Sequence, residues 1–206
     1  ADKFGAYVKG KSKPSVTINS SGAYSSTISS YSTKVLDKTY SGKSFTISNL
    51  TTVGSVSVAI TIKDSRGRSA TTTKTLTVVD YESPVINHFS VIRADSDGTP
   101  NDEGGSLLIS YGFDISSVNN KNDKSFIISM KPADSTTFTT LFTGNLYTAD
   151  STLIPDGIIN PDMSYTIRLK ISDYFKSITH DIEAPTAFTL MDFHSSGKGI
   201  AFGKVA

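Results

Sequence analysis

The densest cluster of side chains able to do chemistry is Asp95-Ser-Asp-Gly-Thr-Pro-Asn-Asp-Glu-Gly-Gly105. Its carboxylates Asp95, Asp97, Asp102 and Glu103 are hard oxygen donors of the kind calcium takes. Their spacing departs from the EF-hand loop, where the glycine stands about three positions after the second acidic ligand and a glutamate closes the loop about six further on. Here Gly98 follows Asp97 directly. The expectation is an exposed loop closed by Asx turns, with these four residues as calcium candidates and no metal site assigned. Asp64 and Asp173 each end a strand before a short turn and are expected to cap those turns.

For proton transfer the chain has only His88, His180 and His194, none in a nucleophile-elbow or zinc-ligand spacing. His180 alternates with Ile178 and Ile182, which predicts an inward-facing imidazole satisfied by backbone. With no cysteine there is no thiol nucleophile, thiolate metal site or disulfide. Gly197-Lys-Gly199 lacks the spacing and following helix of a phosphate loop. A carboxylate pair for glycoside hydrolysis is a property of the fold rather than of spacing. The chain has no tryptophan for a sugar to stack on. No catalytic or cofactor-binding residue is assigned, no cofactor is expected, and the chain is read as not an enzyme. Sugar binding without cleavage needs only aromatic faces and loop hydrogen-bond partners. Tyr24, Tyr31 and Tyr40 are placed in early polar strands and Tyr147 and Tyr174 near later loops, all read as aromatics at sandwich edges.

These residues must be positioned by strands. Val56-Ser-Val-Ala-Ile-Thr-Ile-Lys-Asp64 and Tyr165-Thr-Ile-Arg-Leu-Lys-Ile-Ser-Asp173 share one plan: alternation of apolar and polar residues, a closing aspartate, a turn and a returning strand. Period-two alternation buries one face of a sheet and wets the other, so each copy reads as a late hairpin of its own β-sandwich. Serine and threonine make up about a quarter of the 206 residues and 37% is hydrophobic, a balance suited to strands with one wet face. The first half reads as strands at 15–18, 26–29, 35–36, 44–47, 56–63 and 71–79, with reversals at Gly22, Ser41-Gly42, Gly54 and Asp64-Ser-Arg-Gly67. Val56, Val58, Ile60 and Ile62 are its predicted core face.

Asp80-Tyr-Glu-Ser-Pro84 marks a tight joint. Beyond it strands are expected at 85–93, 107–115, 125–131, 138–143, 165–172 and 177–182, separated by polar loops. Leu107, Ile109, Tyr111, Phe113 and Ile115 share the core face of the second of these. Two apolar runs around Ser-Ser-Gly-Lys-Gly199 close the chain as a hairpin of their own. The expected architecture is all-β: two tandem immunoglobulin-like or fibronectin III-like β-sandwiches, 1–80 and 81–185, then a C-terminal β-hairpin, 186–206. The absent initiator methionine and the stop at Gly203-Lys-Val-Ala206 lead to the expectation of a segment from a longer polypeptide. No apolar run approaches the ~18 to 20 residues of a membrane span, and Ala1-Asp-Lys-Phe lacks a signal peptide's apolar core.

Net charge is +1, but eleven basic against four acidic residues up to position 80, and nine against fifteen beyond, give halves of +7 and −6. The basic half suits a phosphate-rich polymer such as wall teichoic acid, an acidic neighbour, or simply solvated lysines. Basic residues are not interleaved with aromatics and no helix-turn-helix or zinc-finger pattern occurs, so nucleic acid is not an expected partner.

Several segments together resemble a family: Tyr40-Ser-Gly-Lys-Ser-Phe45, Val58 to Arg68, Tyr81-Glu-Ser-Pro84 leading to Phe89-Ser-Val-Ile-Arg93, Asp95 to Glu103, and most sharply Leu190-Met-Asp-Phe-His-Ser-Ser-Gly-Lys-Gly-Ile-Ala-Phe-Gly-Lys204. They resemble the immunoglobulin-like region of tail fibre or baseplate proteins, receptor-binding or minor structural, from siphophages and prophages of Gram-positive and especially streptococcal hosts. The resemblance covers the chain from about residue 15 onward. It implies a virion component, extracellular when functioning, in which stacked sandwiches extend or display a host-recognition part, commonly as a trimer and without catalysis or cofactor.

The function expected is a phage tail segment serving as a semi-rigid spacer or display module in host cell-wall recognition. Its expected partners are other tail or baseplate subunits, a homotrimer among the arrangements, and host cell-wall polysaccharide, with no nucleic acid and no membrane insertion. The alternatives are a bacterial surface adhesin or carbohydrate-binding module, and an accessory domain of a wall-degrading enzyme.

Overall fold

Two-residue periodicity and turn residues every few positions leave no stripe for a helix to bury, and the computed structural model is all-β. The structure describes residues 2–48, 50–157, 159–184, 186, 191–193 and 200–202. No helix occurs among them. The chain divides into two compact units, Ala1–Glu82 with Ser117–Asn122, and Ser83–Ser116 with Asp123–Ala206.

The first unit holds β1 (Tyr7–Val8), β2 (Ser15–Thr17), β3 (Ile28–Val35), β4 (Lys38–Ser41), β5 (Ser44–Thr46), β6 (Gly54–Asp64) and β7 (Ser69–Val79). One sheet runs β1-β7-β6-β3-β4 and the second is the pair β2-β5. Val35, Ile47, Leu50, Val56, Val58 and Val78 form the core, with Val16 of β2 and Phe45 of β5 packed on it. The two sheets differ greatly in length. At ~3.4 Å per residue a three-residue strand covers only about 10 Å, whereas the eleven-residue β6 and β7 span about 37 Å. The predicted core face of β6 is therefore buried at Val56 and Val58 and only half-buried at Ile60 and Ile62. β7 is exposed from Ser69 to Thr75. The far half of this sheet extends past its covering layer.

The second unit holds β8 (Val85–Ala94), β9 (Ser106–Asp114), β10 (Lys124–Pro132), β11 (Thr139–Gly144), β12 (Thr148–Leu153), β13 (Tyr165–Asp173) and β14 (Ser177–Ala184). Sheets β12-β9-β8 and β11-β10-β13-β14 enclose a larger core that includes Leu107, Ile109, Tyr111, Phe113, Ile115, Phe126, Ile128, Ile167, Leu169 and Ile171. A separate antiparallel pair, β15 (Met191–Phe193) and β16 (Ile200–Phe202), closes the chain with Met191 opposite Phe202. The molecule is thus two immunoglobulin- or fibronectin-like β-sandwiches in series with a C-terminal hairpin.

Several local expectations are corrected. The segments expected at 26–29 and 35–36 fall at the two ends of one strand, β3, which runs from Ile28 to Val35 because β6 offers a continuous partner from Asp64 to Val58 with one irregularity near Ile28. Gly22, Gly42 and Gly54 do not reverse hairpins; Gly22 and Gly42 lie on connections between the two sheets and Gly54 opens β6, where the chain arrives from the other sheet. The polar stretch 144–164 contains β12, and β1 and β4 were not expected.

Candidate functional site

The turn Asp64-Ser-Arg-Gly-Arg68 between β6 and β7 begins as a capped hairpin. Asp64 Oδ1 accepts the backbone N–H of Arg66 at 3.0 Å and of Arg68 at 2.9 Å. Its Oδ2 accepts Arg68 Nε at 2.8 Å and Ser26 Oγ at 3.1 Å, and Arg68 Nη2 lies at 2.6 Å. Desolvation pushes this nearly buried carboxyl up, but the Arg68 guanidinium, the turn amides and Ser26 outweigh it and hold the pKa at about 2. The carboxylate in turn organises a loop about forty residues away in sequence. Arg66 Nη2 donates to Tyr24 O at 2.7 Å, and Arg68 Nη2 donates to Ala23 O and to Ser26 Oγ at 3.1 Å each.

These bonds hold Tyr24 and Ser25 at φ of 53° and 60°. Two consecutive non-glycine residues in the left-handed region cost ~1–3 kcal/mol each. Tyr24 is 81% exposed, and its ring centroid lies 5.7 Å from Arg68 Cζ. A cleft of about 260 Å³ opens between Ser21, Gly22 and Ala23 of the loop and the uncovered half of the sheet, and Tyr24 follows this lining in the chain without being part of it. Ile28, Ile62 and Ala70 give it an apolar lining, Ser21 and Ser69 add hydroxyls, and Asp64 and Arg68 supply charge. Asp64 was expected only to cap its turn, which it does, and no role was expected of Arg66 or Arg68. The available signal was the alternation of charge and glycine in Asp-Ser-Arg-Gly-Arg, which does not reveal the partner loop. Tyr24, placed by sequence in a strand, is a loop residue.

A family model described as "Siphovirus protein of unknown function (DUF859)" matches residues 3–206. The chain belongs to this siphovirus family. Comparison with curated proteins gives no match. Among solved structures, the siphovirus chain is similar to domains of titin at 14% identity and a TM-score of 0.43, covering 90% of this chain and 63% of that one. It is also similar to chicken CNTN1 FN1-FN3 domains at 13% identity and a TM-score of 0.31, covering 88% and 63%. The siphovirus chain thus spans somewhat under two thirds of each of these structures.

Elsewhere the siphovirus chain keeps its candidate groups apart. Asp95 Oδ1 accepts Asn101 Nδ2 at 2.9 Å, and Asp97 Oδ1 accepts the Thr99 N–H at 2.9 Å. Hydrogen bonds from Thr99 hold the Asp97 carboxyl below its usual range. Glu103 donates its backbone N–H to Asn101 Oδ1, and Asp102 and Glu103 are exposed. Among the described residues no three His, Cys, Asp or Glu side chains converge on a common metal position. The loop rests on Arg93, which is buried and donates to Gly104 O at 3.3 Å and Met163 O at 2.8 Å. Burial lowers the Arg93 pKa.

Asp173 caps its own turn, accepting the N–H groups of Phe175 and Lys176 at 2.7 Å each. His180 corrects the inward expectation: it is exposed, with its ring centroid 5.8 Å from that of Phe89. It shares a face with half-buried Ile178 and Ile182, but β14 is an edge strand and its middle is left open. His88 is also exposed, with Nε2 3.7 Å from Asp150 Oδ1, an ion pair only when the imidazole is protonated. His194 and the Gly197-Lys-Gly199 turn lie outside the described residues. Tyr40 stacks on Phe45 at 4.6 Å, Lys124 Nζ lies 3.8 Å from the Tyr147 ring, and Tyr174 meets Phe175 edge-on at 5.0 Å. Tyr31 is half-buried with its hydroxyl 3.4 Å from Ser20 Oγ. None of the five tyrosines lines the cleft just described; Tyr24 follows the lining residue Ala23 and has its ring 5.7 Å from Cζ of the lining Arg68.

Proposed function

We propose that this siphovirus protein is a non-catalytic segment of the phage tail, a semi-rigid spacer and display module used in host attachment. The observation that carries the reading is the extent of the family match. It spans residues 3–206, so both sandwiches and the hairpin belong to the viral family together. Serial β-sandwiches extend a chain while keeping each core independent, and their exposed loops are free to meet partners. Such a segment is expected to associate with other tail or baseplate subunits, as a trimer among the arrangements, and to work on the cell-wall polysaccharide of a Gram-positive host, a streptococcus above all.

The test is immunogold electron microscopy of phage particles encoding this chain, with antibodies raised against residues 1–206. Gold at the tail or its tip is the expected result. Gold confined to the capsid, or particles that stay unlabelled while free protein in the lysate reacts, would overturn the tail assignment.

A further inference from the structure

Four features meet at the cleft and its rim, where Tyr24 stands next to the lining residues Ala23 and Arg68. The first is a large aromatic side chain, 81% exposed, on a backbone held in the left-handed region by two arginines. A loop free to choose would relax the backbone or place a small residue there. The second is an apolar lining of Ile28, Ile62 and Ala70, left open because β2 and β5 are too short to cover it. The third is hydroxyl groups of Ser21 and Ser69 on the same lining.

The fourth is charge. Asp64, the single carboxylate of the lining, accepts bonds from Arg68, Ser26 and two turn amides and is matched by Arg68. Arg66 and Lys63 beside it are exposed and leave the local balance positive. Arg68 spends Nε and Nη2 on protein partners and Arg66 spends Nη2; the other guanidinium nitrogens have no protein hydrogen bond among the described residues. A guanidinium fork with unused N–H groups recognises phosphate or carboxylate oxygens.

We propose that this cleft binds one sugar unit of an anionic saccharide, the pyranose ring lying on the apolar lining with Tyr24 at the rim beside Arg68, and the charged group meeting Arg68 of the lining and Arg66 outside it. The size agrees: about 260 Å³ is slightly below the ~300 Å³ at which pockets for drug-sized ligands begin. A pyranose has one C–H-rich face for an aromatic ring and hydroxyls for the serines, which an extended acidic peptide does not offer together. The site goes beyond the tail assignment, since it gives the first sandwich a ligand of its own wherever the protein is mounted.

The test is an NMR titration of the ¹⁵N-labelled chain with glucose 6-phosphate, glucose and inorganic phosphate in parallel. Glucose 6-phosphate is expected to shift amides of residues 22–28 and 64–70 saturably, and at least about tenfold more tightly than either other probe. Higher salt should weaken it. Tyr24→Gly is the decisive variant, because it deletes the ring while relieving the positive φ, so the fold is retained. It should lower the affinity at least about tenfold. Equal binding by inorganic phosphate, or unchanged affinity in Tyr24→Gly, would reduce the cleft to a simple anion site and overturn the proposal. Tighter binding of an Asp/Glu tetrapeptide would replace the sugar by a protein partner, and the absence of localised shifts with any probe would also overturn it. None of these outcomes touches the tail assignment, which immunogold labelling decides separately.

Discussion

Asp64 gathers two backbone amides, a serine hydroxyl and an arginine onto one carboxylate, and each of those bonds needs it ionised. Its folded pKa of about 2 lies below the 3.8 usual for an aspartate, so the unfolded chain takes up the proton first on acidification. The stabilisation is therefore complete above about pH 4 and is lost as pH falls towards 2. Melting temperature followed from pH 5 to pH 2 should fall for the native chain and fall less steeply for Asp64→Asn, which has no charge to lose. Identical slopes would show that the carboxylate is not the acid-sensitive group.

Thr33 makes the opposite case. It is fully buried, and its Oγ1 has no hydrogen-bond partner among the described residues. Thr33→Val keeps the β-branched shape and removes the desolvated hydroxyl, so urea unfolding should show a gain of about 1 kcal/mol. A loss of that size would mean that the hydroxyl is paired in solution.

At the scale of strands, alternation made the long central elements legible. β6, β9 and β13 each have one face against a core, and their apolar positions recur every second residue. The edges were not legible, for the same physical reason. β4 reads Lys38-Thr-Tyr-Ser41 and β12 reads Thr148-Ala-Asp-Ser-Thr-Leu153, and both are exposed over most of their length. A strand that buries neither face carries no period. The Tyr24 cleft was hidden more deeply, since it depends on a turn reaching back some forty residues and on the shortness of two other strands.

Edge strand β11 also offers a steric test. Gly144 lies opposite Phe126, and a Cβ at residue 144 would fall 2.1 Å from Phe126 Cε1. Phe126 is 1% exposed and wedged against Phe113 at 4.9 Å and Phe142 at 5.6 Å, so its ring has nowhere to go. Gly144→Ala is expected to destabilise the second unit by ~1–3 kcal/mol, as overpacking does. Gly112 is the matched control: its added Cβ would meet His88 Cε1 at 2.4 Å, but that imidazole is exposed and can swing aside. Gly112→Ala should cost clearly less in the same denaturation experiment, and equal losses would refute the argument from ring mobility.

For the whole molecule, the spacer reading depends on the chain being held where the first unit ends. Asp80 Oδ1 accepts Lys9 Nζ at 2.7 Å and the Tyr81 N–H at 2.9 Å, and Glu82 accepts Lys9 Nζ at 3.3 Å. Tyr81 is buried, with Lys11 Nζ 5.1 Å from its ring centroid. Lys9 and Asp80 favour each other's charged forms: their hydrogen bond raises the Lys9 pKa and lowers that of Asp80. Residues 80–82 are thus tied to residues 9–11 by several weak links, and Tyr81 is buried besides. A glutamate-specific protease must draw about ten residues into its cleft in extended form, and Tyr81 would have to leave the core before Glu82 could be cut. Cleavage should therefore appear first after Glu103, in the exposed acidic loop, and after Glu82 only at much higher protease. Lys9→Ala should speed the second cut by no more than a few-fold, because an exposed ion pair is worth at most about 1 kcal/mol. Cleavage at Glu82 as fast as at Glu103 would mean that the unit ends in a loose tether, and the spacer could not then be stiff.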